Sequence, residues 1–274
     1  METVLVQVPY FLGRRGEGLA TGVPVLAERL AGELGASTIE IEVESGSWNE
    51  IGASMDVVRA VSAVVREIVA AGGFPLVLGG VCSTALGVVA GLGSPEDLGV
   101  VWFDAHGDFN TPETTPTGFF DGMPLAMLTG SGWEELRAGI EGLRPVDEAN
   151  VVLVGARDLD PPEQERLERS GVRWVRSGEP LDPALDALAE RAPGVYLHVD
   201  LDVLDPSAGQ ANRYASPGGP TAAELAAAVA EVASRFTIRA AAITAYEPVY
   251  DPEGKVVEAA ASVAKQIAAA GVPA

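Results

Sequence analysis

The chain has 274 residues, 47 % of them hydrophobic, and its 39 Asp and Glu against 18 Lys and Arg give a formal charge of −21. This length and composition exclude a disordered chain and allow a sizeable core. So acidic a protein repels phosphate backbones and anionic headgroups, so nucleic acid and membranes are not expected partners, whereas small cationic ligands and metal ions are favoured. One cysteine, Cys82, rules out an intrachain disulfide and suits a reducing cytoplasm, the expected location. The opening METVLVQVPYFLGRRGEG lacks the pattern of a signal peptide, and no apolar run is long enough to span a bilayer.

In chain order, the β-branched run Thr3–Val8 predicts a strand and Val23–Leu34 a helix. The alternation over Thr38–Val43, with Ile39, Ile41 and Val43 on one side, predicts a second strand. Met55–Ala71 is a long amphipathic helix, Phe74–Leu78 a strand ending in Gly79-Gly80, and Ser83–Gly91 a helix. Leu98–Phe103 is continuous and apolar, as in a strand buried on both faces. Strands follow at Val151–Val154, Val172–Val175, Val195–Val199 and Ile238–Ala245. Helices follow at Pro161–Ser170, Asp182–Arg191, Thr221–Ser234 and Val256–Ala270.

About eight strands alternating with helices predict a three-layer αβα domain with a parallel sheet spanning 1–274. A closed eight-stranded barrel is the competing arrangement. In either, ligands gather at the carboxyl ends of the strands. The polar anomalies fall there: Gly79-Gly80-Val81-Cys82-Ser83, Asp104-Ala105-His106-Gly107-Asp108, Arg157-Asp158-Leu159-Asp160, Asp200-Leu201-Asp202 and Tyr246-Glu247-Pro248.

Asp104 and His106 are two residues apart, as are Asp200 and Asp202, which turns each pair to one side of its strand end. Buried carboxylates without a partner cost several kcal/mol each (~3–5). Neither motif contains Lys or Arg, so a divalent metal ion is the simplest compensating charge. An oxygen-rich site with one imidazole suits Mn2+ or another borderline ion better than a structural zinc. Asp205, before Pro206, reads as a turn residue, and His198 as a strand histidine hydrogen-bonded to a neighbour.

The segments DAHGDFNTPETTPTG and DLDVLDP resemble the arginase/agmatinase (ureohydrolase) family, which shows GGDHS, DAHxDxNTP and SxDxDxxDP in the same order. The resemblance covers nearly the whole chain. It implies an αβα fold around an eight-stranded parallel sheet, a binuclear manganese site, hydrolysis of guanidino or amidino groups, and a trimer or hexamer. It further implies Asp104 and Asp200 as bridging ligands, His106 and Asp202 on one ion and Asp108 on the other. Glu247 would bind the guanidinium, and Asn110, Thr115, Thr117 and Asp160 would hold the far end of the substrate.

Three departures stand out. Cys82 replaces a histidine ligand, with Val81 before it; as a soft thiolate it would make Fe or Zn possible, or leave one ion instead of two, while a small buried residue is the plain alternative. Asp121 stands where arginases carry a proton-shuttling histidine. Phe119 replaces a polar residue of the amino-acid-binding loop, which argues against arginine as substrate. The expected activity is therefore a metal-dependent hydrolase of a guanidino or related C–N substrate. A non-catalytic ligand-binding member of the fold and a mononuclear deacetylase-like amidohydrolase are the alternatives.

Overall fold

Residues 2–44 and 46–270 are described by a computed structural model. Ten strands are present among them: β1 (Thr3–Val8), β2 (Tyr10–Phe11), β3 (Arg14–Arg15), β4 (Ser37–Glu40), β5 (Phe74–Gly79), β6 (Leu98–Phe103), β7 (Val151–Val154), β8 (Arg173–Val175), β9 (Gly194–Asp200) and β10 (Thr237–Thr244). Strands β2 and β3 form a small antiparallel hairpin. The other eight form one sheet in the order β4-β1-β5-β10-β9-β6-β7-β8, and every pairing is parallel. The sheet is open, with β4 and β8 at its edges, so the barrel alternative is set aside.

Nine α-helices accompany it among the described residues: α1 (Gly22–Leu34), α2 (Glu50–Ala70), α3 (Thr84–Gly91), α4 (Pro124–Leu128), α5 (Glu134–Ala138), α6 (Pro161–Arg169), α7 (Asp182–Ala189), α8 (Ala222–Arg235) and α9 (Lys255–Ala270). The period-two alternation of the central strands sorts their side chains between two cores. Leu76, Val101, Leu197 and Ile243 face Leu26, Leu188, Val229 and Val263 of α1, α7, α8 and α9. Val77, Val100, Trp102 and Ala242 face Val58, Val61, Leu86 and Leu125 of α2, α3 and α4. Two covered faces explain why β6 and β7 read as apolar runs and why every residue of β5, β6 and β9 is buried.

The expected strand over Thr38–Val43 is shorter, because β4 is an edge strand that leaves the sheet after Glu40. There Ile39 is exposed while Ile41 is buried, and the N–H of Val43 donates to the Tyr10 hydroxyl at 2.8 Å. Short helices α4 and α5 lie in a stretch without enough periodic residues to announce them.

Two details fix the frame around the strand ends. Arg157, after β7, donates to the carbonyls of Gly155 (3.0 Å), Val203 (3.1 Å), Ser216 (2.7 Å) and Pro217 (3.1 Å), which clamps the segment after β9 onto β7. Helix α3 is buried along its whole length and approaches α2 through glycine. A Cβ on Gly87 would lie 2.5 Å from the Val58 carbonyl oxygen and 2.8 Å from Val61 Cβ. Gly87→Ala therefore overpacks this contact and is expected to destabilise the protein by about 1–3 kcal/mol. Urea denaturation checks this as a lower midpoint at unchanged slope.

Candidate metal centre

The two Asp-rich motifs use the same turn. At the end of β6 the Asp104 carboxylate accepts the N–H of His106 (2.8 Å), and at the end of β9 the Asp200 carboxylate accepts the N–H of Asp202 (2.8 Å). Each first Asp thus folds the backbone that carries the second side chain, a local bond Asp makes readily. The motifs then interlock. Asp202 accepts the N–H of Ala105 at 3.3 Å. His106 Nδ1 lies 3.3 Å from Asp104 and 3.4 Å from Asp202.

Two ligand groups emerge. Asp104, His106 and Asp202 offer atoms within 4.8 Å of one another, and so do Cys82, Asp104 and Asp108. Asp104 belongs to both. Asp200 joins through its Oδ2, 2.9 Å from the Cys82 sulfur. Asp108 sits at φ 47, a left-handed conformation that Asp and Asn tolerate better than other residues with side chains. Its carbonyl accepts the N–H groups of Leu125 and Ala126 at the start of α4. Its Oδ2 is buried with no hydrogen-bond partner.

These groups line one cavity of about 220 Å³ that no Lys or Arg side chain enters among the described residues. Burial, then Asp202, pushes Asp104 and Asp200 above the usual carboxylate range, and burial, then Asp104, pushes Asp108 well above it. Burial also opposes ionisation of Asp202, but His106 overrides it and holds that carboxyl down at about 2. Burial opposes the imidazolium too, yet Asp202 and Asp104 more than offset it and raise His106. One protonated imidazole is a small counterweight for four carboxylates, and the unpartnered oxygen of Asp108 faces the same deficit. The donor set fits a divalent cation: oxygen-rich throughout, with one imidazole and one sulfur.

The other expected residues distribute as follows. Asp121 lines the cavity and accepts the N–H groups of Cys82 (3.1 Å) and Ser83 (2.8 Å); burial raises its pKa to about 6. Asn110 donates to Asp160 at 3.1 Å, and both line the mouth together with Thr115 and Thr117. The hydroxyl of Thr115 accepts the N–H of Gly118 and that of Thr117 the N–H of Phe119. Glu247 does not line the cavity. Strand β10 ends at Thr244, and the buried wall residue beyond it is Ala245, at φ 64. Glu247 lies two residues on, with Oε1 3.4 Å from Arg213 and Oε2 buried without a partner. Asp205 accepts the N–H groups of Ser207 and Gly218, the turn role expected of it. His198 is fully buried and bonded to neighbours, as a strand histidine should be.

Several contributing residues carried weaker signals. Trp102 donates its indole N–H to Asp104 at 3.0 Å; its position two residues earlier on the same strand face was the available clue. Glu163 accepts the N–H of Phe109 (2.9 Å) and of Asp160 (3.3 Å), the reach-back of a capping box that the spacing in Asp160-Pro161-Pro162-Glu163 foreshadows. Asn212 bonds Asp202 (3.4 Å) and the Ala245 carbonyl (2.7 Å) from a loop with no legible pattern. At the mouth, Phe119 and Tyr214 lie 6.0 Å apart.

A sequence profile of the arginase family matches residues 30–270. The chain is 37 % identical to the arginase of Bacillus caldovelox over 212 residues, 74 % of this chain and 71 % of that one. It belongs to the arginase family. Against the Brevibacillus brevis arginase it is 45 % identical over 153 residues, 52 % of this chain and about half (51 %) of that relative's length. The crystal structure of Bacillus caldovelox arginase superposes with a TM-score of 0.87 at 30 % identity, covering 97 % of both chains. The arginase-family fold, with its eight-stranded parallel sheet, is thus shared from end to end.

Within this family scaffold the acids are costly wherever no cation balances them. Asp108→Asn keeps a side chain suited to the left-handed backbone and removes one buried charge. In chelator at neutral pH, the Asp108→Asn protein should melt at a higher temperature than the parent. A scan showing an equal or lower melting temperature would mean that this carboxylate is not a source of strain.

Proposed function

We propose that the chain is a metal-dependent hydrolase that cleaves a C–N bond in a guanidino or amidino group of a small cationic substrate. The observation that carries this reading is the convergence of Asp104, His106, Asp108, Asp200 and Asp202 on one cavity that no lysine or arginine lines among the described residues. Asp104, His106 and Asp202 would hold one ion, and Asp104, Asp108, Asp200 and Cys82 a second, Mn2+ being the expected ion for the oxygen-rich half. When bound, the ions supply Lewis-acid charge and acidify water for attack on a planar carbon.

The chain's own residues do the rest. Asp121, oriented by the Cys82 and Ser83 N–H groups, presents a carboxylate to the planar cationic group, a pairing that carboxylates and guanidinium form well. Asp160 and Asn110, tied to each other, hold the distal end of the substrate together with Thr115 and Thr117. Phe119 and Tyr214 make that end of the mouth partly aromatic, which supports a less polar tail than that of arginine. Glu247, off the cavity wall and next to Arg213, is given no part in catalysis.

The test uses the full chain loaded separately with Mn2+, Co2+, Fe2+ and Zn2+ and offered a panel of guanidino compounds, with urea and ammonia measured. Product is expected with at least one ion, and more from compounds with apolar tails than from arginine. Silence across every combination would overturn the proposal in favour of a ligand-binding role. Asp104→Asn removes the shared ligand and should cost more than the ~10–100-fold of a change outside the ligand shell. Asp160→Ala removes a group that holds the distal end of the substrate and also the N-cap residue of α6, so steady-state kinetics should show KM rising with kcat little changed, in a protein of somewhat lower melting temperature.

A further inference from the structure

We propose that Cys82 is a metal-bonding thiolate, and that the half-site it shares with Asp104 and Asp108 takes a thiophilic ion of the zinc–cobalt class in preference to manganese. The inference rests on reading the acidic cluster as a metal centre, and concerns which ion this chain selects there.

Three observations carry it. First, the Cys82 sulfur and one carboxylate oxygen each from Asp104 and Asp108 lie within 4.8 Å of one another, all buried. Second, Asp108 is only 5 % exposed, and its Oδ2 has no hydrogen-bond partner. A buried carboxylate oxygen left open beside a sulfur and a second carboxylate wants a cation, not another hydrogen-bond donor. Third, the far side of the sulfur meets two groups able to donate to it. His198 Nε2 and Thr244 Oγ1 each lie 3.3 Å from Sγ. The Tyr196 hydroxyl bonds His198 Nδ1 at 2.8 Å; in the tautomer in which tyrosine donates there, the imidazole proton sits on Nε2, within reach of both the sulfur (3.3 Å) and Thr244 Oγ1 (3.2 Å). The ring is fixed by stacking on Trp102, with centroids 3.6 Å apart, and Trp102 in turn bonds Asp104. Donors aimed at a ligand atom, held by a second rank of packed groups, are what orients and tunes a metal ligand.

The two groups sharing Asp104 therefore differ in chemistry. Asp104, His106 and Asp202 present oxygen and imidazole, whereas Cys82, Asp104 and Asp108 add a soft sulfur. Soft donors favour zinc and its neighbours over Mn2+, which prefers oxygen. In the metal-free chain the thiol donates its proton to Asp200 Oδ2 at 2.9 Å. On binding, the S–H bond breaks, an S–metal bond forms, and the proton leaves to buffer without any change in oxidation state. Asp200 Oδ2 is then free to turn to the same ion.

The experiment adds Co2+ stepwise to the metal-free full chain without oxygen, following the near-ultraviolet sulfur-to-cobalt charge-transfer band and, by elemental analysis, the cobalt retained. The band should grow with bound cobalt, be lost in Cys82→Ser while that variant still retains cobalt at the oxygen–imidazole group, and bleach on adding Zn2+ but not excess Mn2+. Cobalt retained by the parent chain without the band would overturn the proposal, as would no retained cobalt, a band surviving Cys82→Ser, or bleaching by Mn2+. Circular dichroism checks that the variant is folded; if it is not, the parent's band and its response to Zn2+ and Mn2+ still decide. Urea or ammonia released without the band would remove this inference and leave the hydrolase reading intact. The band without either product would do the reverse.

Discussion

Asp104, Asp108, Asp200 and Asp202 are buried within one rim of the sheet, and their mutual repulsion is the constraint to which the surroundings answer. Backbone N–H groups at His106, Asp202 and Ala105, the Trp102 indole and the Asn212 amide each take part of the negative charge. His106 contributes one positive charge when protonated. What is left over, concentrated at Asp108, is the charge that a cation would meet. The parallel sheet makes the concentration possible: with every strand pointing the same way, the carboxyl ends of β5, β6, β9 and β10 meet at a single edge.

Much of this could be read in the sequence, and for a physical reason. Strands covered on both faces are bare apolar runs, so β6 and β7 stand out residue for residue. Polar residues at their ends break the pattern abruptly, which is why Asp104, His106, Asp200 and Asp202 were visible. What was not visible depends on long-range contacts. The edge position of β4 decides where it leaves the sheet, and nothing in Thr38–Val43 encodes its neighbour. Asn212 reaches Asp202 from a loop whose path is set by tertiary packing, so its role had no local signature. The family resemblance places Glu247 as the carboxylate that binds the guanidinium, which puts it on the cavity. The left-handed turn at Ala245 instead brings the methyl group to the wall and carries the acid past it.

The departures expected at Cys82, Asp121 and Phe119 all line a single cavity, while the frame around them is that of the family. Cores tolerate substitution when volume is kept, whereas a donor set is changed by a single atom. A chain can therefore keep its strand ends and turns while altering the ion and the substrate it takes. Behind Cys82, the side chains of Tyr196, His198 and Thr244 form a connected polar layer.

The clamp made by Arg157 bears on the ionic environment. Its partners are carbonyl dipoles of Gly155, Val203, Ser216 and Pro217, not carboxylates. Dissolved salt screens exposed charge pairs such as Arg29 with Glu258, and it also relieves the self-repulsion of a chain carrying −21. Bonds to carbonyls, three of these four partly buried, lose little to that screening. As ionic strength rises, the surface network slackens and the overall repulsion eases, yet the segment bearing Asp202 stays pinned to β7, so the spacing of the acids is decoupled from the salt around them.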